Sequence, residues 1–311
     1  MDRLAPLWER LLCRQTHSIF QRFSWNRLAA DMFADRLTPH IVCVEGHSGA
    51  AIIPAAINRA SDGIELLGET LFDYRDVLHA GDPEVLQHAW RLLASLQRPF
   101  HVISIGRAAA RERWSEFPTP PFAMAPRVVR VRSEAAFRQA HSRLGRQIRR
   151  LQKQRVEVCT TSGQNSGLMR RIYDGKRTLF ESGGSENVFL DLLRCEFMVA
   201  AAAMEGDECE IYTLQEQDAL VAGIVTFNDG DTRRFYTTYF NPEWAHYSPG
   251  QALLYEASAR TLAQEFDCDY MTGEYPYKLR LANASHPLFR VDVSAEQLAG
   301  IAKQRITTTA A

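Results

Sequence analysis

The chain has 311 residues, a formal net charge of −1, 46% hydrophobic residues and 23% charged residues. This length suggests about two domains of roughly 150 residues each, and the composition is that of a globular protein with enough apolar material for a core. Near-neutral charge argues against a protein that binds nucleic acid through its overall field.

The six cysteines, Cys13, Cys43, Cys159, Cys195, Cys209 and Cys268, show no C-x-x-C spacing, so no metal site or redox motif is expected. Scattered thiols fit a reducing compartment. The first twenty residues are amphipathic and carry both charge signs, without the uninterrupted apolar region of a signal peptide. No apolar run is long enough to span a bilayer. The chain reads as cytoplasmic, and nothing in the sequence fixes its oligomeric state.

In chain order, residues 24–36 have helical spacing. IVCVEG (41–46) and AAIIPAAINR (50–59), joined by His47-Ser48-Gly49, read as a strand hairpin. GIELLGETLFDYRDVL (63–78) is a further strand with a glycine-containing turn. Asp82-Pro83-Glu84 opens a helix through about Gln97, with proline in the first turn. PFHVISIG (99–106) is a strand. Residues 107–126, ending in Pro118, Pro120, Pro121 and Pro126, read as a connecting segment. RVVRVR (127–132) alternates as a strand, and a helix starts at Ser133-Glu134 and runs to about Arg155.

The second half is more sharply patterned. Helical stretches over 166–181 and 187–205 precede three strands, CEIYTL (209–214), LVAGIVTF (220–227) and RRFYTTYF (233–240). Short polar turns between them make an antiparallel meander. A helix over 249–266, a strand over 269–273, a helical turn near 276–283 and a strand over 288–293 complete the chain. The first half repeats part of this order, which suggests two similar α/β units.

One segment carries a chemical signal. Ser248-Pro249-Gly250-Gln251 has a capping serine, a proline at the first helical position and a glutamine three residues on, the pattern of a capping box. A helix start that follows a strand and contains a glycine presents free backbone N–H groups and the positive end of a dipole, which suits a pyrophosphate. Many helices begin this way and bind nothing, so the surrounding order of elements matters.

LVAGIVTF, RRFYTTYF, NPEWAHYSPGQALLYEA and TGEYPYKLRL together resemble the CelD/BcsL-type (BioF2-like) acetyltransferase domain of the GNAT superfamily. LLGETLFDYRDVL and the arginine-rich RLGRQIRRLQKQR extend the resemblance over residues 24–293. It implies an α/β (α+β) fold with a mixed, largely antiparallel sheet flanked by helices, in two tandem GNAT-like lobes. The expected organisation is a degenerate lobe over 1–126, a basic strand–helix connector over 127–165 and an acyltransferase lobe over 166–311.

The resemblance also implies transfer of an acyl group from acyl-CoA, held between splayed strands. Pantetheine would pair with residues 235–240, and pyrophosphate would sit on residues 248–253. Tyr247, Ser248, Pro249, Gly250 and Gln251 are the donor-binding candidates, with Lys278 of the P-Y-K piece as a partner for a phosphate or a substrate carboxylate. The superfamily's usual Q/R-x-x-G-x-G/A loop is absent, and Gly250 is the single glycine here. Acyl-CoA, an acyl-carrier protein and aminoacyl-tRNA therefore all stay open as donors.

Direct attack by an amine needs a base for the ammonium and an acid for the leaving thiolate, and no covalent nucleophile. Candidate bases are Glu274 after DYMTG, Asp73 in FDYRD, and His246 just before the cradle. Each is weighed against a plain solvated or ion-paired role. Candidate acids are Tyr236 and Tyr239, three positions apart and so on opposite faces of a regular strand. Arg143, Arg146, Arg150 and Lys153 share one face of the basic helix, either as a solvated surface or as an anion site.

The leading function is acyl transfer to an amine of a small molecule or sugar. The alternatives are an aminoacyl-tRNA-dependent transferase, which would make tRNA a partner, and an inactive GNAT-like module in polysaccharide or envelope assembly.

Overall fold

The fold comes from a computed structural model that describes residues 1–130, 133–184 and 187–303. Val131 and Arg132, which end the expected strand over 127–132, lie outside the described residues. The chain forms two units, Met1–Ala123 with Pro287–Ala311, and Met124–His286.

The first unit begins with α1 (Ala5–Leu12) and α2 (Phe23–Met32). Strands β1 (Leu37–Pro39), β2 (Val42–Gly46), β3 (Gly49–Ile53), β4 (Ala55–Asn58), β5 (Ile64–Leu66) and β6 (Leu78–Gly81) follow, then α3 (Pro83–Ala94), β7 (Phe100–Gly106) and α4 (Arg107–Glu112). The expected hairpin forms between β2 and β3, with Val42 opposite Ile53. Its second apolar run breaks at Pro54, because proline has no N–H to continue a ladder. The chain then enters β4, which pairs antiparallel with β1 and β5.

The core of this unit is aromatic. Trp90 of α3 meets Phe117 at 4.8 Å and Trp114 at 5.2 Å between ring centroids. Burying each such ring contributes about 2–3 kcal/mol. Trp114 also explains why residues 107–126 are not the irregular connector expected from their prolines. The alanine-rich start of the segment folds as α4. Trp114 then inserts into the core and donates its Nε1–H to buried Asp76 at 3.1 Å, while Arg113 Nε reaches the same carboxylate at 2.8 Å.

The second unit takes in β8 (Pro121–Val128), α5 (Glu134–Ala140), α6 (Ser142–Lys153), β9 (Val156–Ser162), α7 (Ser166–Gly183) and α8 (Leu192–Glu205). It continues with β10 (Cys209–Glu216), β11 (Ala219–Asp229), β12 (Thr232–Phe240), α9 (Pro249–Ala263), β13 (Asp267–Asp269) and α10 (Pro276–Leu279). The chain then runs through β14 (Ala284–Val293), which pairs antiparallel with β7 of the first unit's sheet, and α11 (Ala295–Lys303).

The second unit's strands lie in the order β8-β13-β12-β11-β10-β9. All neighbours are antiparallel except β12 and β13. The expected meander is β10-β11-β12. Its hydrophobic strands are buried on both faces, Val221 through Val225 without interruption. Helices α5, α6 and α9 cover one face, and α7 with α8 covers the other. This mixed, largely antiparallel sheet between helical layers is the expected fold class.

Three details differ from the sequence-based elements. The single helix expected over 134–155 breaks at His141, whose φ of −111° and ψ of 29° are not helical. β9 was not expected at all. β8 forms despite its prolines, because on this side Pro126 needs no N–H: the carbonyls of Pro126 and Met124 accept the amides of Tyr270 and Gly273, each at 2.9 Å.

Candidate functional site

β12 has two faults in its regularity, and both shape the site. The first is its open edge. β13 pairs with it only at Thr232, Arg233 and Arg234. There Arg234 Nη1 bonds Asp269 Oδ2 at 2.7 Å and clamps the two strands together. Beyond Asp269 the chain turns its amides to β8, so from Phe235 onward β12 has no strand along that side among the described residues. The backbone polar groups of that stretch need partners from elsewhere.

The second fault is a bulge. Val225 faces Thr237 and Thr226 faces Phe235, so Tyr236 is an extra residue without a counterpart. Phe235 packs on Tyr270 at 5.3 Å. Tyr236 instead meets Phe189 and Phe227, and Thr237 meets the Tyr173 hydroxyl of α7 at 3.3 Å. Tyr239 also faces α7, because a Cβ on Gly175 would fall 2.5 Å from its ring. The bulge therefore puts Tyr236 and Tyr239 on the same side, which corrects the expectation of opposite faces.

After β12 a 3-10 turn, Pro242–Tyr247, leads into α9. Asn241 caps it and anchors its own amide on the Val221 carbonyl at 2.8 Å. Ser248 adopts φ 50° and ψ 51°, and its side chain caps nothing. The expected capping box does not form. The Ser248 amide is spent on the Ala245 carbonyl at 2.9 Å, and the Gln251 side chain accepts from Arg280 at 3.3 Å. Pro249 has no N–H. Gly250 and Gln251 then carry first-turn amides with no intrahelical acceptor, and no partner for either occurs among the described residues.

A cavity of about 140 Å³ lies where these features meet, lined by Thr238, Tyr239, Phe240, Gly250, Gln251 and Tyr277. A Cβ on Gly250 would come within 3.4 Å of Phe240, so glycine keeps this wall thin. Tyr277 is half-buried beside the Thr238 hydroxyl, and burial pushes its phenol up. Tyr239 is pushed up as well, first by burial and then by Glu243. Both phenols are therefore protonated at neutral pH.

Of the sequence candidates, Tyr239, Gly250 and Gln251 line this cavity, and Tyr247, Ser248 and Pro249 lead directly into it. Lys278 is buried, and its Nζ donates to the Thr272 carbonyl at 2.8 Å, so it fastens the loop after β13. The other side of that loop depends on Gly273, whose φ is 106° and where a Cβ would fall 2.7 Å from the Tyr275 ring.

Glu274 and His246 are solvent-exposed. Asp73 belongs to the first unit, where the buried acid is its neighbour Asp76. Thr238 and Phe240 belong to the stretch 235–240 expected to pair with the donor, whereas Tyr277 was expected only to pack beside Lys278. Lys176 was missed altogether. Burial and Lys278 lower its ammonium to about 8.

The basic face of α6 is exposed. Arg143, Arg146, Arg149, Arg150, Lys153 and the following Arg155 have no carboxylate partner among the described residues. Ile148 and Leu151 turn inward instead, and the helix packs on α9 and the Pro242–Tyr247 turn. Among the described residues, no cluster of three or more His, Cys, Asp or Glu could hold a metal ion, and no helix is long and apolar enough to cross a membrane.

Comparison with known proteins places the fold among several solved structures. No curated protein matches the chain in sequence. A conserved protein of unknown function from Bacteroides thetaiotaomicron is similar in structure, with a TM-score of 0.63 at 9% identity, over 93% of this chain and 97% of that one. The C-terminal DUF2156 domain of a candidate lysylphosphatidylglycerol synthetase from Agrobacterium fabrum gives 0.59 at 10% identity, over 96% and 93%. FemX gives 0.59 at 8% identity, over 96% and 98%. At such identities the likeness is one of fold. Residues 137–279, which hold β12, the start of α9 and the cavity between them, match the family described as the acetyltransferase (GNAT) domain.

Proposed function

We propose that this chain transfers an acyl group from acyl-CoA to the amine of a small molecule or sugar, as a CelD/BcsL-type member of the superfamily. The observation that carries the reading is the cavity bounded on one side by the unbonded amides of Gly250 and Gln251 and on the other by the open edge of β12. A helix start with bare amides favours an anionic group. An unpaired strand edge suits the amide-bearing arm of a thioester donor. A volume of about 140 Å³ admits the reacting end of a donor and leaves the bulk of its carrier outside.

In the reaction the acceptor nitrogen forms a bond to the thioester carbonyl carbon, and the carbon–sulfur bond breaks. The nitrogen loses one proton, and the leaving thiolate gains one. Tyr239 is the proton donor by position and by its protonated state. Tyr236 is its neighbour on the α7 side. Glu274, solvent-exposed just ahead of α10, which carries Tyr277, is the base candidate, with the equally exposed His246 second.

The test is the thermal midpoint of the full chain with acetyl-CoA, longer acyl-CoAs and free CoA. A donor at one hundred times its dissociation constant adds about 2.7 kcal/mol to stability. No shift with any CoA species at millimolar concentration sinks the reading.

One observation favours a second reading, an aminoacyl-tRNA donor. The six exposed cations over 143–155 lie beside the turn that enters the cradle. That reading predicts tRNA binding whose affinity falls steeply with salt, by a log–log slope of about −0.7 to −0.9 per phosphate contacted.

A further inference from the structure

Helix α7 brings to the site a cation that the acyl-transfer chemistry does not use. Lys176 has no hydrogen bond or ion pair among the described residues. Its Nζ lies 5.0 Å from the centroid of Phe189 and 5.9 Å from that of Phe180. The preceding residue, Gly175, presses against the ring of Tyr239, a wall of the cavity. A second lysine, Lys278, directly follows Tyr277, another wall residue, and its Nζ stands 5.2 Å from the Tyr275 ring.

The two ammonium groups act on each other. Burial and then Lys278 depress Lys176 to about 8. Among the described residues, the remaining groups around Lys176 supply no counter-charge. Cys195 of α8 is held up as a neutral thiol by burial, and Tyr236 and Tyr239 are phenols on β12. The carboxylates of α7 itself are engaged elsewhere, Asp174 with Arg177 at 3.2 Å and Glu181 with Arg177 at 3.5 Å. A cation in an aromatic frame with no acid against it among the described residues, and with a second cation acting on it, favours either loss of a proton or capture of an anion.

We propose that Lys176, backed by Lys278, binds a carboxylate carried by the acceptor, so that the acceptor is an amine of the amino-acid class. Only the word acceptor rests on the acyl-transfer reading. The anion site stands on the two lysines and their surroundings. A lysine ammonium meets either anion as a point charge; with Lys278 Nζ already on the Met271 and Thr272 carbonyls, the single charge of Lys176 matches the single charge of a carboxylate better than the double charge of a phosphate. A bound anion holds Lys176 protonated. Affinity is therefore level below pH about 8 and falls roughly tenfold per unit above it.

The first experiment uses succinate as an unreactive probe on the full chain and reads its thermal midpoint at pH 7. Succinate should raise the midpoint beyond sodium chloride of equal ionic strength. The effect should vanish in Lys176→Met and in Lys176→Gln, persist in Lys176→Arg, and fade in the native protein by pH 9.5. An unchanged succinate effect in either neutral variant overturns the proposal. So does an equal effect of chloride, and a larger effect of inorganic phosphate makes the site a phosphate site instead.

The second experiment compares acyl transfer to tyrosine and to tyramine, which differ by the carboxylate. The native ratio of kcat/KM should exceed tenfold and fall toward one in Lys176→Met, chiefly through KM. A ratio near one in the native protein overturns the proposal. If no amine is acylated while succinate still binds through Lys176, the acyl-transfer reading fails and the anion site survives.

Discussion

Helices α3 and α9 begin alike in sequence, a polar residue followed by proline, and end up doing opposite things. Asp82 accepts the Glu84 amide at 2.9 Å and closes the start of α3. Ser248 sits in the left-handed region and leaves the first-turn amides of α9 bare beside a cavity. A side-chain cap contributes about 1 kcal/mol to a helix. α3 takes that stability, and α9 forgoes it and keeps its first-turn amides free. A proline at the first helical position therefore marks where a helix begins, while the conformation of the residue before it decides whether the end is free for a ligand.

The largest expected break in this contrast comes from filling the open end. Gly250→Trp should place an indole against Phe240 within the cavity and weaken acyl-CoA binding by about 100-fold, or about 2.7 kcal/mol, measured by calorimetry. The ligand-free midpoint should change little, because a Cβ at this position meets only ordinary contacts.

A second test asks what holds α9 without a cap. Glu256, in its second turn, binds Arg138 at 2.8 Å and Arg260 at 3.0 Å. Burial raises its carboxyl, but the bonds from both arginines outweigh burial, and the net shift is downward. A lowered pKa in the folded state means stability that is present above the ordinary carboxylate range and lost as pH falls through the folded value. Glu256→Gln should cost about 2 kcal/mol at pH 7. The gap from the native protein should close on acidification below about pH 4, as chemical denaturation at several pH values would reveal.

A smaller effect is expected from Ser248→Asp, which sets a negative charge at the bare end and makes α9 resemble α3. Aspartate tolerates the left-handed conformation. Acyl-CoA affinity should fall about tenfold, near 1.4 kcal/mol, without loss of fold. The smallest is Asp82→Ala, which should lower stability by about 1 kcal/mol and leave donor affinity unchanged. A change in donor affinity in that variant would mean the two helix starts are not independent.

The meander was legible because its strands are long, apolar and separated by Gln217 and Gly230, both at positive φ. β9 was not, because VEVCTTS follows a basic helix, is half polar and pairs with one neighbour only. At the site, the serine–proline–glycine start announced itself through backbone chemistry that any reader of sequence can apply. The open edge of β12 did not, since it depends on where β13 stops pairing. Lys176 carries no local signal, because its character is set by Phe180 and Phe189 on one side and Lys278 on the other. Glu274 looked promising from its place after a strand, but exposure is a tertiary property, and the loop turns it to solvent.

The supernumerary residue at Tyr236 lets two successive side chains, Tyr236 and Thr237, address the same helical layer, which a regular strand forbids. Removing one of them would restore even alternation and leave Tyr239 and Phe240 on their present faces, because the pairs Thr238 with Ile224 and Tyr239 with Gly223 already sit in regular register. The insertion therefore adds a contact to the α7 side without moving the cavity walls that follow it.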